Sequence, residues 1–224
     1  MGLFICFSGP SKYKLQAHTN IENQLVDKFG FQQISLDDCN KIVQLIYHVT
    51  NDKGETFCKY LDENQVPQGI STSTIGGHTG GDETILILST RDNFDEIESG
   101  NDIRAILAFN YEDFEYKNID INVLCSNQVT KSGGGKILVE NLINVCRQEG
   151  LSKITLFASE SAVNFYKKFG FVNESKMFPN MLSLQLGGKR MLRLVINLKT
   201  KKRKSRKLKS KYKGKSKKLK SKRK

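Results

Sequence analysis

At 224 residues the chain has room for one domain of ordinary size with a full core. No apolar run reaches the roughly 18 residues that a spanning helix needs, so no membrane span is expected, and attachment to an anionic membrane surface is expected only if Gly2 is acylated. The net charge of +13 is unevenly placed: residues 199–224 hold 17 Lys and Arg and no acid, and taking these from the total of 36 leaves 19 against 23 Asp and Glu, a net of −4 for residues 1–198. The chain therefore divides into a mildly acidic body, 1–198, and a Lys/Arg-rich tail, 199–224.

The opening residues 1–10, MGLFICFSGP, are apolar but too short and too poor in flanking charge for a secretory signal. Gly2 meets part of an N-myristoylation pattern, yet Cys6 stands where Ser or Thr is preferred, so a short strand or buried arm is expected. Ile21, Leu25, Val26 and Phe29 recur at helical spacing until Gly30 stops them. A second helix is expected after Ser35 as N-cap, with Asp37 and Asp38 in its first turn and Cys39, Ile42, Val43, Ile46 and Tyr47 on its apolar face. Residues 55–82, with Pro67, many Ser and Thr, and the glycine-rich segment around His78, read as a surface loop. His78 is there either a base or ligand, or simply a solvated side chain.

Strands are expected at 84–90 and 102–111, joined by the acidic segment DNFDEIESG, and a third at 118–126 after a turn near Glu112–Glu115. From Ile119 to Phe171 the order is strand, glycine-rich loop, amphipathic helix, strand, helix. Parallel neighbours need such a long connection, so this stretch is a right-handed crossover within a mixed sheet. The runs MLSLQL and RMLRLVINL about Gly187 and Gly188 read as a hairpin. The tail carries too few apolar residues to bury and should be disordered. The five cysteines, Cys6, Cys39, Cys58, Cys125 and Cys146, are odd in number and lack CxxC spacing. They indicate neither a zinc site nor a disulfide framework, and a reducing, intracellular setting, cytoplasmic or nuclear, is expected.

Gly133, Gly134 and Gly135 precede a helix whose first N–H groups lack intrahelical partners, a natural seat for phosphate oxygens. Three glycines let a backbone approach a ligand without side-chain clash. A P-loop is excluded, because Ile137 follows Gly135-Lys136 and Thr130 replaces the first glycine of that motif.

The hexapeptide Thr130-Lys131-Ser132-Gly133-Gly134-Gly135 and the later FYKKFGF, Phe165 to Phe171, resemble the GNAT N-acetyltransferase superfamily, which uses acetyl-coenzyme A. Both glycines of that family's pyrophosphate loop are present, whereas Thr130 stands where Gln or Arg is usual and Ser159 where Asn is frequent. The resemblance implies an α/β fold with a mixed, splayed sheet flanked by helices. It implies that Lys131, Ser132, Gly133, Gly134, Gly135 and Lys136 seat the pyrophosphate, that Val123, Leu124 and Cys125 pair with the pantetheine arm, and that Ser159 lies beside the cofactor. Leu124 N–H would face the thioester oxygen and Tyr166 would protonate the departing thiolate. A lysine-like acceptor is neutral in only about one molecule in 2500 at pH 7, so a base helps; Asp120 is the first candidate, then Glu115 and His78.

The function implied is transfer of an acetyl group from acetyl-CoA to a primary amine of a protein lysine, a polyamine or a small molecule, with no metal. The alternative is a GNAT-fold protein without catalysis. In either case the tail is expected to bind nucleic acid or another polyanion.

Overall fold

A computed structural model describes residues 1–7, 16–78, 83–113, 118–130 and 133–187. In chain order the elements are β1 (Leu3–Phe7), α1 (Gln16–Phe29), β2 (Gln32–Gln33), α2 (Leu36–Tyr47), β3 (Lys59–Leu61), β4 (Pro67–Gly69), α3 (Thr72–His78), β5 (Thr84–Ser89), β6 (Ile103–Asp113), β7 (Asn118–Ser126), α4 (Gly134–Gln148), β8 (Lys153–Phe157), α5 (Val163–Lys167), β9 (Val172–Asn173) and β10 (Met181–Gln185). Single 3-10 turns lie at Phe94–Glu96, Gly100–Asp102 and Glu160–Ala162.

Several boundaries follow from local chemistry. Ser35 caps α2, its Oγ accepting from Asp38 N–H at 3.1 Å, and Asp37 and Asp38 lie in the first turn where the helix dipole favours acids. α2 buries Cys39, Ile42, Val43 and Ile46, the expected stripe. Gly30, at φ 71°, ends α1 in the left-handed conformation that glycine adopts without steric cost.

Eight strands form one mixed sheet in the order β2-β1-β5-β6-β7-β8-β10-β9. β7 and β8 pair in parallel across the α4 crossover, whereas β5, β6 and β7 run antiparallel in succession. Helices cover both faces. One apolar layer joins Leu25 of α1 and Leu138 and Leu142 of α4 to Leu86, Leu107, Phe109 and Ile121. The other joins Ile42 and Ile46 of α2 and Ile75 of α3 to Ile85, Ile106, Ala108 and Val123. The expected α/β class, with a mixed sheet between helices, is the observed one.

β7 changes face midway. Ala108 of β6 stands opposite Val123, but Phe109 stands opposite Ile121, so Asn122 is an extra residue in β7, a β-bulge. Ile119 and Ile121 accordingly pack with α1 and α4, Val123 and Cys125 with the α2 layer, and Leu124 again towards α4.

Two expectations are corrected. The stretch 55–82 is not a plain surface loop: β3 and β4 form a hairpin and α3 follows, with Phe57, Cys58 and Ile75 buried. The hairpin turn is built by Asp62, whose Oδ1 accepts from Asn64 N–H and Val66 N–H, both at 2.9 Å. Three-residue strands are too short for a period-two pattern to register. The cysteines also differ from expectation, for disulfides join Cys6 to Cys39 and Cys58 to Cys125, leaving Cys146 free and buried. These pairs are 33 and 67 residues apart, so no local spacing could announce them, and the reducing setting loses that support. The tail, the second strand of the 187–188 hairpin and Glu115 lie outside the described residues.

Candidate functional site

The site is set by where β7 parts from β8. Their last parallel partners are Ile121 and Leu156, yet β7 runs on to Ser126. Beyond Ile121, no described strand lies along the β8-facing edge of Asn122–Ser126, whereas the other edge stays paired to β6. The backbone polar groups on the opened edge therefore have no sheet partner and suit an extended ligand. Val123, Leu124 and Cys125 lie on that edge.

At the wide end of the gap stands the start of α4. Gly133 is its N-cap at φ 62°, ψ 13°, and among the described residues it has no side-chain cap and no atom within 4 Å of where a Cβ would be. A helix N-terminus favours an anion there. The next two glycines serve packing. A Cβ on Gly134 would lie 2.9 Å from Ala105 Cβ, and one on Gly135 2.8 Å from Ser126 Oγ. Gly135 N–H already donates to Ser126 Oγ at 3.0 Å and Lys136 N–H to Gly133 O at 3.3 Å, so the loop offers a ligand fewer ready donors than the three glycines suggest. A hydroxyl is a neutral acceptor that can rotate aside, whereas phosphate makes a stronger charge-assisted bond. The loop before it is fixed by buried Asn127, whose Oδ1 accepts from Val129 and Thr130 N–H and whose Nδ2 donates to Ile103 O. Lys131 and Ser132 lie outside the described residues. Lys136 is exposed, with Nζ 3.8 Å from Glu140 Oε1. Ser159 is exposed beyond the end of β8, its Oγ 3.2 Å from Ser161 Oγ.

The proposed acid and bases fall in different surroundings. Tyr166 is buried among Phe165 and Phe171, edge to face with both, on the α4 side. Burial pushes its phenol well above the ordinary value of 10, further from a thiol than an unperturbed tyrosine. Asp120 accepts from Thr155 Oγ1 at 2.9 Å and pairs in register with Asn110 on β6 and Thr155 on β8. Thr155 in turn pairs with Ser183, so a polar row crosses the strands where the gap closes. Asn110 Oδ1 is buried there with no hydrogen-bond partner among the described residues.

His78, at the end of α3, meets Glu83 immediately before β5: Nδ1 lies 2.8 Å from Oε1 and 2.7 Å from Oε2. The bulged Asn122 donates from Nδ2 to the same Oε1. Glu83 and Asn122 escaped the sequence reading because their meeting spans β6. One trace was legible: Leu124 is apolar on the parity that carries Asp120 and Asn122, as a bulge requires. Among the described residues no group of three or more His, Cys, Asp or Glu is placed to hold a metal ion. A surface groove of about 640 Å³ between α2 and the 94–97 turn includes none of the loop or gap residues.

Residues 121–180 match the family model described as the acetyltransferase (GNAT) domain. The resemblance to GNAT N-acetyltransferases read from the motifs thus holds over that stretch. A protein of Pyropia yezoensis named an uncharacterized N-acetyltransferase, ycf52, is 48% identical over 42 residues, 19% of this chain and 24% of that protein. Its namesake in Porphyra purpurea is 43% identical over the same length and shares. The chain thus spans about a quarter of these relatives. Among solved structures, Tetrahymena GCN5 aligns at 11% identity and TM-score 0.41, over 52% of this chain and 77% of its own. The smu.2055 protein of Streptococcus mutans UA159 aligns at 17% identity and TM-score 0.42, over 68% and 96%. At that level of likeness neither bears on function.

Proposed function

We propose that the chain is an N-acetyltransferase moving an acetyl group from acetyl-CoA to a primary amine by direct transfer. The observation that carries this reading is the parting of β7 from β8 after Ile121 and Leu156, with the left-handed Gly133 start of α4 at its wide end. An extended arm fits along Val123–Cys125, and a diphosphate at Gly133, with Lys131, Ser132, Gly134, Gly135 and Lys136 around it. Acetyl-CoA brings an activated thioester. The chain's own part is to hold it extended, to turn Leu124 N–H to the oxygen that gains charge, and to move two protons. Tyr166, kept protonated by burial, is the donor on the α4 side; the acceptor is drawn from the candidate bases, of which Asp120 lies at the closed end of the gap and His78 beside Glu83. The negative charge of residues 1–198 favours a cationic acceptor.

Saturating acetyl-CoA is expected to raise the melting temperature of the full chain, since a ligand at a hundred times its Kd adds about 2.7 kcal/mol. Gly133→Glu, which places a bulky anion in the anion seat, should abolish the rise. A wild type whose melting temperature does not move would refute the reading. That outcome would leave the second one, a GNAT-fold protein that binds nucleic acid through residues 199–224, favoured by their 17 cations without an acid.

A further inference from the structure

From the contacts of His78 with Glu83 and of Glu83 with Asn122, we infer that His78 is the base that takes the proton from the acceptor amine, with Glu83 and Asn122 positioning it. The inference rests on the acetyl-transfer reading and names a residue for its least defined step. Both Glu83 oxygens lie within 2.8 Å of His78 Nδ1. An ionised carboxylate can only accept, so the neutral ring carries its proton on Nδ1 and presents the Nε2 lone pair. Asn122 Nδ2 donates to Oε1 and fixes the carboxylate from the other side.

The position of this chain of contacts is what gives it a role. Asn122 is the first residue of β7 beyond the last β8 partner, so the Glu83 carboxylate is tied to the strand where the gap narrows and a thioester would end. The His78 side chain is 24% exposed, so an amine arriving from solvent, directly or through one water, can reach it. Thr155 Oγ1 donates to Asp120 Oδ1 at 2.9 Å within the closed part of the sheet, short of the point where a thioester would end.

The proton count closes. The ammonium gives one proton to Nε2. The neutral nitrogen then bonds to the carbonyl carbon as the carbon–sulfur bond breaks, Tyr166 gives its proton to the departing sulfur and is restored by the nitrogen's second proton, and the imidazolium releases its proton to water.

The test uses the full chain in two ways. In the protein without substrate, nitrogen NMR of the His78 ring, assigned by its absence in His78→Gln, should show the proton on Nδ1. In Glu83→Gln the new amide, its oxygen held by Asn122, faces Nδ1 with a donor and should move the proton to Nε2. In turnover, thiol release from acetyl-CoA with spermine should fall about a hundredfold in both variants, the lower end of what a general base contributes. With hydroxylamine, largely neutral at pH 7, it should change little. The rise in melting temperature with acetyl-CoA should match wild type in both. A wild-type ring protonated on Nε2, equal release with spermine in wild type and His78→Gln, or no release from wild type would each overturn the inference. If wild type also fails to bind acetyl-CoA, the acetyl-transfer reading falls separately.

Discussion

The Asp102 carboxylate closes the turn that leads into β6. It accepts from Arg91 Nε at 2.9 Å, Ser99 N–H at 3.1 Å and Glu98 N–H at 3.2 Å. Burial alone would raise its pKa, but the Arg91 guanidinium and the two N–H donors together outweigh that and hold it below the ordinary 3.8. A folded-state pKa below the unfolded one adds stability that is complete above about pH 4 and lost as pH falls through the folded value. Asp102→Asn should therefore lower the urea midpoint at pH 7, and the gap from wild type should close on acidification below pH 4. A gap independent of pH would mean that shape, not charge, sets the contribution. Tyr166 shows the opposite effect, since its burial raises a pKa without any paired charge. The sequence supplied the identity of that phenol but not its surroundings, which come from Phe165 and Phe171 closing over it.

At the scale of elements, α4 depends on glycines that play different parts. Gly134 lets the helix start lie against β6, where an added Cβ would be 3.1 Å from the Arg104 carbonyl carbon. Gly134→Ala should force the helix to shift and cost about 1–3 kcal/mol, as overpacking does. Gly77, inside α3 with no described atom within 4 Å of a Cβ, should gain about 0.4–1 kcal/mol on the same change. Urea denaturation of the two variants checks both signs. Elements with strong periodicity were legible in advance: β7 falls on the expected 118–126, and α2 on its Ser35 cap. The β3–β4 hairpin and α3 were not, because Lys59–Leu61 and Pro67–Gly69 are too short to show a period. The motif at 133–135 revealed a helix start, but not that Ser126 already engages Gly135. Such partnerships between Ser126 and Gly135, or among His78, Glu83 and Asn122, arise only once strands are in register.

At the scale of the whole molecule, charge is divided between two stretches of sequence. Residues 1–198 carry a net of −4, suited to cationic acceptors, and residues 199–224 carry 17 cations, suited to polyanions. Affinity of the full chain for duplex DNA should fall about a thousandfold between 50 and 200 mM salt, as counterion release dictates for several phosphate contacts. A chain ending at residue 198 should bind weakly at either concentration. Equal binding by the two would refute a tail-driven interaction. Within the sheet, the extra residue at Asn122 acts as a change of parity. Strand β7 is two half-strands whose inward sides are numbered oppositely, one odd and one even. Replacing Asn122 would alter a contact, but deleting it would turn Val123 and Cys125 towards α4 and Leu124 and Ser126 away from it. The position can thus vary in chemistry and not in length, a constraint on the spacing between the closed end of the gap and the helix that follows.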